Sequence, residues 1–211
     1  SILYRTNAQS RAPEEALIGA RIPYQIIGGT CFYERREVKN LLAYLRLAAG
    51  TGKLDDIGRC INAPFRFLGK AFVERVEEAA SDAEQAPHKT GKGWPELIRK
   101  VSQQAGLQSR QRDSASNWAD LVERLSFRIA RAKTAMHGSE PYIQGLPARG
   151  LEDVVRETRY TEWLIKDEGE ESTENSRVSN IREMIRAAQR FNTVAELLAY
   201  VDKTIAATRD A

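Results

Sequence analysis

Arginine is the residue type in this chain best equipped to do chemistry, and four arginine-centred groupings stand out among its 211 residues. Arg5 lies in Tyr4-Arg5-Thr6-Asn7 at the end of a short apolar run. A guanidinium stays charged, offers several planar donors, and can neutralise charge that develops during phosphoryl transfer. A surface ion pair at a strand end fits the same residues. Arg35 follows Phe32-Tyr33-Glu34; arginine can contact a phosphate and stack on a base, while Phe32 either stacks or braces the turn. Arg66 and Lys70 flank Gly69 in Ile61-Asn-Ala-Pro-Phe-Arg-Phe-Leu-Gly-Lys70 and can supply charge to an anion. Arg124, Arg128 and Arg131 fall near one face of a long helical stripe that also carries Lys133, as either a basic track or a solvated face. Lys39 and Arg46 can share a helix face, where ordinary solvation accounts for them.

Other chemistries are excluded or left without residues. Gly50-Thr-Gly-Lys53 is not a phosphate loop: Leu47 stands where its first glycine belongs, Leu54 replaces the Ser/Thr that holds Mg²⁺, and a helical pattern rather than a strand precedes it. Cys31 and Cys60 have no metal or redox spacing, His88 and His137 are far apart, and no metal site is expected. Thirty-two basic against 29 acidic side chains give a net charge of only +3, so any nucleic-acid site must be local. No signal peptide or membrane span is visible. These features place the chain among reduced, cytoplasmic proteins.

The elements that must position these residues follow from apolar periodicity. Residues 2–6 and Tyr24 to Ile27 form short apolar runs on either side of a helix opened by Pro13, Glu14 and Glu15, which predicts strand, helix, strand. Gly28-Gly29 permits a sharp turn, and Val38, Leu41, Leu42, Leu45 and Ala49 predict a helix that Gly50 ends. Beyond Gly50 the pattern is helical. The stripes are Leu54/Ile57/Ile61, Phe72/Val73/Val76/Ala80, Trp94/Leu97/Ile98/Val101 and Trp118/Leu121/Val122/Leu125/Ile129/Ala132. Leu151/Val154/Val155, Val178/Ile181/Ile185/Ala188 and Leu197/Leu198/Val201/Ile205 follow. Ser81 to Gly93, His137 to Gly150 and the acidic stretch Asp167 to Glu174 read as loops. Thr193 and Glu196 have capping-box spacing before the last stripe.

The opening Ser-Ile-Leu-Tyr-Arg-Thr-Asn-Ala-Gln-Ser-Arg and the stretch YQIIGGTCFYERREVKNLLAYLR, Tyr24 to Arg46, closely resemble the start of the second motor domain of superfamily 1 DNA helicases of the UvrD/Rep/PcrA type. The resemblance implies a mainly α chain: a helical 2B-type domain attached to a small, incomplete α/β segment of the RecA-like 2A domain. Residues 1–50 would begin 2A, 51–208 would form 2B, and 209–211 would start the return to 2A. It further implies an excised piece of an ATP-dependent helicase that moves 3′ to 5′ in repair or replication. Such a piece, lacking phosphate loop and Mg²⁺-binding acid motif, would be inactive alone, with ATP and Mg belonging to the full-length parent.

By the same resemblance, Arg5 is the catalytic residue that reaches the ATP γ-phosphate, and Arg35 with Phe32 touches single-stranded DNA. The 61–70 segment resembles an Ile-Asn-x-Pro-x-Arg-Gly-Ile-Gly turn whose backbone N–H groups and following helix start hold a duplex phosphate, which assigns Arg66, Gly69 and Lys70 to duplex binding. Phe67 departs from that pattern where a glycine belongs, so a bulky side chain stands where the backbone would approach DNA. The implied partners are DNA without sequence preference and repair proteins, with no membrane. An exposed edge of the incomplete sheet would invite dimerisation. A non-catalytic DNA-binding module or a protein-docking module remains the alternative function.

Overall fold

The computed structural model describes residues 1–5, 7–20, 22, 24, 26, 31–81, 91–135, 145–168 and 177–209. The Gly28-Gly29 turn, His88, His137, residues 210–211 and most of the three expected loops lie outside them. Ten α-helices occur among the described residues: α1 (Arg11–Gly19), α2 (Arg36–Ala48), α3 (Leu54–Cys60), α4 (Lys70–Ser81), α5 (Trp94–Ser102), α6 (Ser109–Ala135), α7 (Leu146–Thr158), α8 (Tyr160–Glu168), α9 (Arg177–Ala188) and α10 (Val194–Arg209). Short 3₁₀ turns, Asn7–Ser10 and Phe32–Glu34, precede α1 and α2.

Helix α2 is the axis of the molecule. Val38, Leu41, Leu42, Ala43, Tyr44, Leu45, Leu47 and Ala48 are all buried, and a helix that is apolar nearly all round must be enclosed by others. Helices α3, α6, α7, α9 and α10 all pack on it. One continuous core runs from Phe32 to Val201 and takes in Trp94, Trp118 and Tyr160. At the end of α2, Gly50 turns left-handed at φ +74°, and Gly91, at φ +72°, lies so close that a Cβ there would sit 2.5 Å from the Gly50 carbonyl oxygen. Trp94 Nε1 donates to the Gly52 carbonyl at 2.9 Å. The glycines of Gly50-Thr-Gly-Lys53 therefore serve a tight crossing of chain segments.

The mainly helical expectation holds. The expected strands do not: no strand occurs among the described residues, Ile2, Leu3 and Tyr4 are exposed, and Tyr24 and Ile26 are irregular. An apolar run becomes a strand only when a neighbour takes up its backbone N–H and C=O groups, and no described segment does so. The sheet edge on which a dimer was expected is likewise missing from the described residues.

Two further differences arise from helix breakers. Residues 146–150, expected in a loop, open α7, because Pro147 occupies its first turn, where the missing N–H costs nothing. Gly150 is helical and lets Leu45 of α2 pack close, since a Cβ would lie 3.0 Å from its Cδ2. Arg159, left-handed at φ +53°, ends α7 and starts a separate α8 whose Tyr160 and Leu164 are buried. The capping box of α10 forms as expected: Glu196 N–H donates to Thr193 Oγ1 at 3.1 Å, and Thr193 N–H to Glu196 Oε2 at 3.3 Å.

Candidate nucleic-acid interface

The turn between α3 and α4 is the most completely built of the expected sites. Asn62 Oδ1 accepts the backbone N–H groups of Arg66 at 2.7 Å and Leu68 at 3.2 Å, closing the chain on itself. Arg66 Nη1 lies within hydrogen-bond reach of three carbonyl oxygens, those of Cys60 (3.2 Å), Ile61 (3.2 Å) and Pro64 (3.0 Å). These include carbonyls at the end of α3 that have no helical partner. From inside, the hydroxyl of Tyr44 lies 2.8 Å from the Cys60 carbonyl oxygen and 3.1 Å from that of Ala63. Burial pushes the Tyr44 phenol well above its ordinary pKa, so it remains a neutral donor. Arg66, expected as a charge for DNA, is thus mainly the cation that holds the turn together.

What the turn presents to solvent is Gly69, Lys70 and two phenylalanines. Lys70 begins α4 with its side chain 91% exposed, and its only described ionic partner is Glu74 at 3.4 Å. Nothing lies within 4 Å of a Cβ built on Gly69, so the backbone at the start of α4 is open. Phe67 occupies a left-handed conformation, φ +62°. Glycine is the easier residue in such a conformation, which phenylalanine adopts at a steric cost. Phe65 and Phe67 meet edge to face with centroids 4.5 Å apart, and remain 59% and 36% exposed. From α6, the Arg110 guanidinium lies 3.6 Å from the Phe67 centroid, and Gln111 Nε2 donates to the Phe67 carbonyl at 3.2 Å. The sequence reading missed Arg110 because it stands far along the chain, on a helix whose apolar stripe faces elsewhere.

Arg35 and Phe32 are placed differently from the expectation of an open single-strand contact. Phe32 is 1% exposed and packs edge to face on Tyr33. Arg35 is 8% exposed, with Nη1 donating to Asn180 Oδ1 and Nη2 to Ser10 Oγ, both at 2.8 Å. Its guanidinium carbon lies 5.3 Å from the Phe32 centroid, and Asn180 in turn donates to Glu37. Burial lowers the Arg35 pKa, with Glu14 and Glu37 opposing that shift by their charge. In this arrangement Arg35 joins the start of α2 to α9 with Phe32 packed beneath its guanidinium, and a base could reach neither without opening that junction.

Arg5 is exposed, with its backbone N–H donating to Gln9 Oε1 at 3.0 Å, and its side chain makes no ion pair with a described residue. The basic helix face is neutralised by α7: Arg124 pairs with Glu157 at 3.2 Å, and Arg128 pairs with both Asp153 and Glu157. The side chains of Arg131 and Lys133 lie outside the described ones. Arg46 reaches Asp202 of α10 at 2.5 Å, and Lys39 pairs with Glu34 at 3.6 Å. No cluster of potential metal ligands occurs among the described residues, and no described helix is long and apolar enough to cross a membrane. Cys31 and Cys60 are buried and form no disulfide among the described residues.

The chain is similar to the ATP-dependent DNA helicase PcrA of Bacillus subtilis (strain 168), 31% identical over 209 residues that make up 98% of this chain and 24% of that protein. It is similar to DNA helicase II of Escherichia coli (strain K12), 29% identical over 193 residues, 91% of this chain and 24% of the relative. A PcrA of Staphylococcus epidermidis (strain RP62A) is 46% identical over 80 residues, 38% of this chain and 11% of that protein. The chain thus spans about a quarter of the length of the first two relatives. Residues 1–205 match the UvrD-like helicase C-terminal domain, and the chain belongs to that family.

Proposed function

We propose that this chain is part of a bacterial, cytoplasmic, ATP-dependent DNA helicase that moves 3′ to 5′, and that its helical body grips the duplex ahead of the motor. The carrying observation is the α3–α4 turn. A backbone held by Asn62 and Arg66 presents Lys70 and the open start of α4, where N–H groups and the helix dipole favour a phosphate oxygen. Arg5, exposed and without a described ionic partner, is the residue that would reach the γ-phosphate of ATP held with Mg²⁺ elsewhere in the longer protein. Residues 1–50 belong to the motor and 51–208 to the accessory domain in this reading, with 209–211 leading back to the motor. In this reading Arg35 and Phe32 touch the single strand when the junction that buries them opens.

The test is binding of this chain to single-stranded, duplex and 3′-tailed duplex DNA across a salt series, read by fluorescence anisotropy. Duplex-containing DNA is expected to bind best, with affinity falling as salt rises. Lys70→Ala is expected to weaken binding of all sequences alike and to reduce the salt slope by about one. Absence of salt-sensitive binding would overturn the duplex role.

A further inference from the structure

We infer that Phe65 and Phe67 form a stacking platform for an unpaired nucleobase beside the duplex held by the α3–α4 turn, an inference that rests on the DNA-binding role proposed above. Exposed aromatic rings usually turn inward or mark a contact surface. Here both are held outward. Phe67 keeps a left-handed backbone, φ +62°, that disfavours any side chain, yet it stays 36% exposed, with Arg110 over its ring and Phe65 at its side. The backbone around it is fixed by Asn62, Arg66 and Gln111. The two rings are therefore presented in a fixed edge-to-face pair, 4.5 Å between centroids.

The charge around the pair selects the occupant. Arg110 covers the Phe67 ring at 3.6 Å and has no carboxylate partner among the described residues, and Lys70 lies three residues beyond Phe67 with its side chain almost wholly exposed. Glu74, Glu77 and Glu78 lie one and two turns further along α4. A guanidinium on one ring and an exposed ammonium one turn further along the chain suit a group that is flat and aromatic on one side and anionic on the other. A nucleotide is such a group, its base stacking on the rings and its phosphate facing Lys70 and Arg110. An apolar peptide would cover the rings but offer the Arg110 guanidinium no counter-charge. Stacking on phenylalanine is tolerant of base identity, so the platform would act on any sequence.

The experiment uses the whole chain and pairs of 3′-tailed duplexes that differ only in whether one of the first few unpaired positions carries a base or is abasic. The wild-type chain is expected to prefer the base-containing DNA by about tenfold at one of those positions. The Phe65→Ala/Phe67→Gly variant is expected to lose that preference while keeping the slope of log affinity against log salt, because it removes rings and no charge. Glycine is chosen at 67 because it accepts the left-handed turn, so the variant folds; its circular dichroism melt checks this. Arg110→Ala is expected to lower both the preference and the slope. Salt-sensitive binding without a base preference, or a preference that survives loss of both rings, overturns the platform and leaves the duplex role standing. Absence of all DNA binding overturns both.

Discussion

Two cations of one turn are expected to separate cleanly by what they touch. Arg66 donates to carbonyls of Cys60, Ile61 and Pro64, and although Cys60 keeps the Tyr44 hydroxyl, Arg66→Ala removes the donor that the three share and is expected to cost about 1–3 kcal/mol. Lys70 touches only an exposed Glu74, and Lys70→Ala is expected to leave stability within about 0.5 kcal/mol. Chemical denaturation of the two variants checks this, and equal losses would show that Arg66 is a free charge after all. Acid sensitivity belongs to Glu15. Burial pushes its carboxyl pKa up, but hydrogen bonds from Tyr33, Arg190 and Arg11 outweigh burial and hold it below the ordinary value. The unfolded chain therefore takes up this proton first as pH falls. The contribution of Glu15 is complete above the ordinary carboxylate value and is lost as pH drops through the lower native one. Glu15→Gln is expected to lower the melting temperature at neutral pH and to converge on the wild type in acid.

Among the elements, α10 depends most visibly on a local device. Thr193 and Glu196 satisfy each other's backbone N–H groups at its start, and Thr193→Ala is expected to destabilise the chain by about 1 kcal/mol, read as a lower denaturation midpoint with an unchanged slope. That cap was legible because its signal is local: two residue types at a fixed spacing. The apolar stripes of α2, α3, α4, α5, α6, α9 and α10 were legible for the same reason, since a buried face repeats at the helical period whatever it packs against. What depended on distant partners was not legible. The segments at residues 2–6 and 24–27 have strand composition, yet a strand exists only with its neighbour. Pro147 and Gly150 look like breakers until Leu45 and the first turn of α7 explain them. At the site, the positions of Arg66 and Lys70 were legible but the tethering role of Arg66 was not, because it depends on carbonyl directions. The Arg35–Asn180 contact joins residues 145 apart in sequence, and no periodicity reports such a bond.

At the scale of the whole molecule, the chain divides its work between a body that is folded around α2 and an exposed N-terminal segment. Ser1 to Arg5 are exposed, and the Arg5 backbone N–H donates to Gln9 Oε1. Over residues 10–15 the hold is firm: Ser10 accepts from Arg35, Arg11 pairs with Glu183 of α9 at 2.6 Å, and Glu15 pairs with Arg190 at 2.8 Å. Stability and the proposed ATP chemistry should therefore respond to different residues. Arg5→Ala is expected to leave the melting temperature of this chain unchanged, because an exposed side chain without a buried partner contributes within about 0.5 kcal/mol. Placed in a longer protein that carries the phosphate loop and the rest of the motor, the same substitution is expected to lower ATP turnover by about 10³–10⁵-fold while nucleotide affinity changes little. An Arg5 that only balances surface charge would leave turnover intact. An Arg5 that belongs to the fold would lower the melting temperature of the chain itself, so the two measurements together distinguish a residue reaching across to a nucleotide from one serving its own domain.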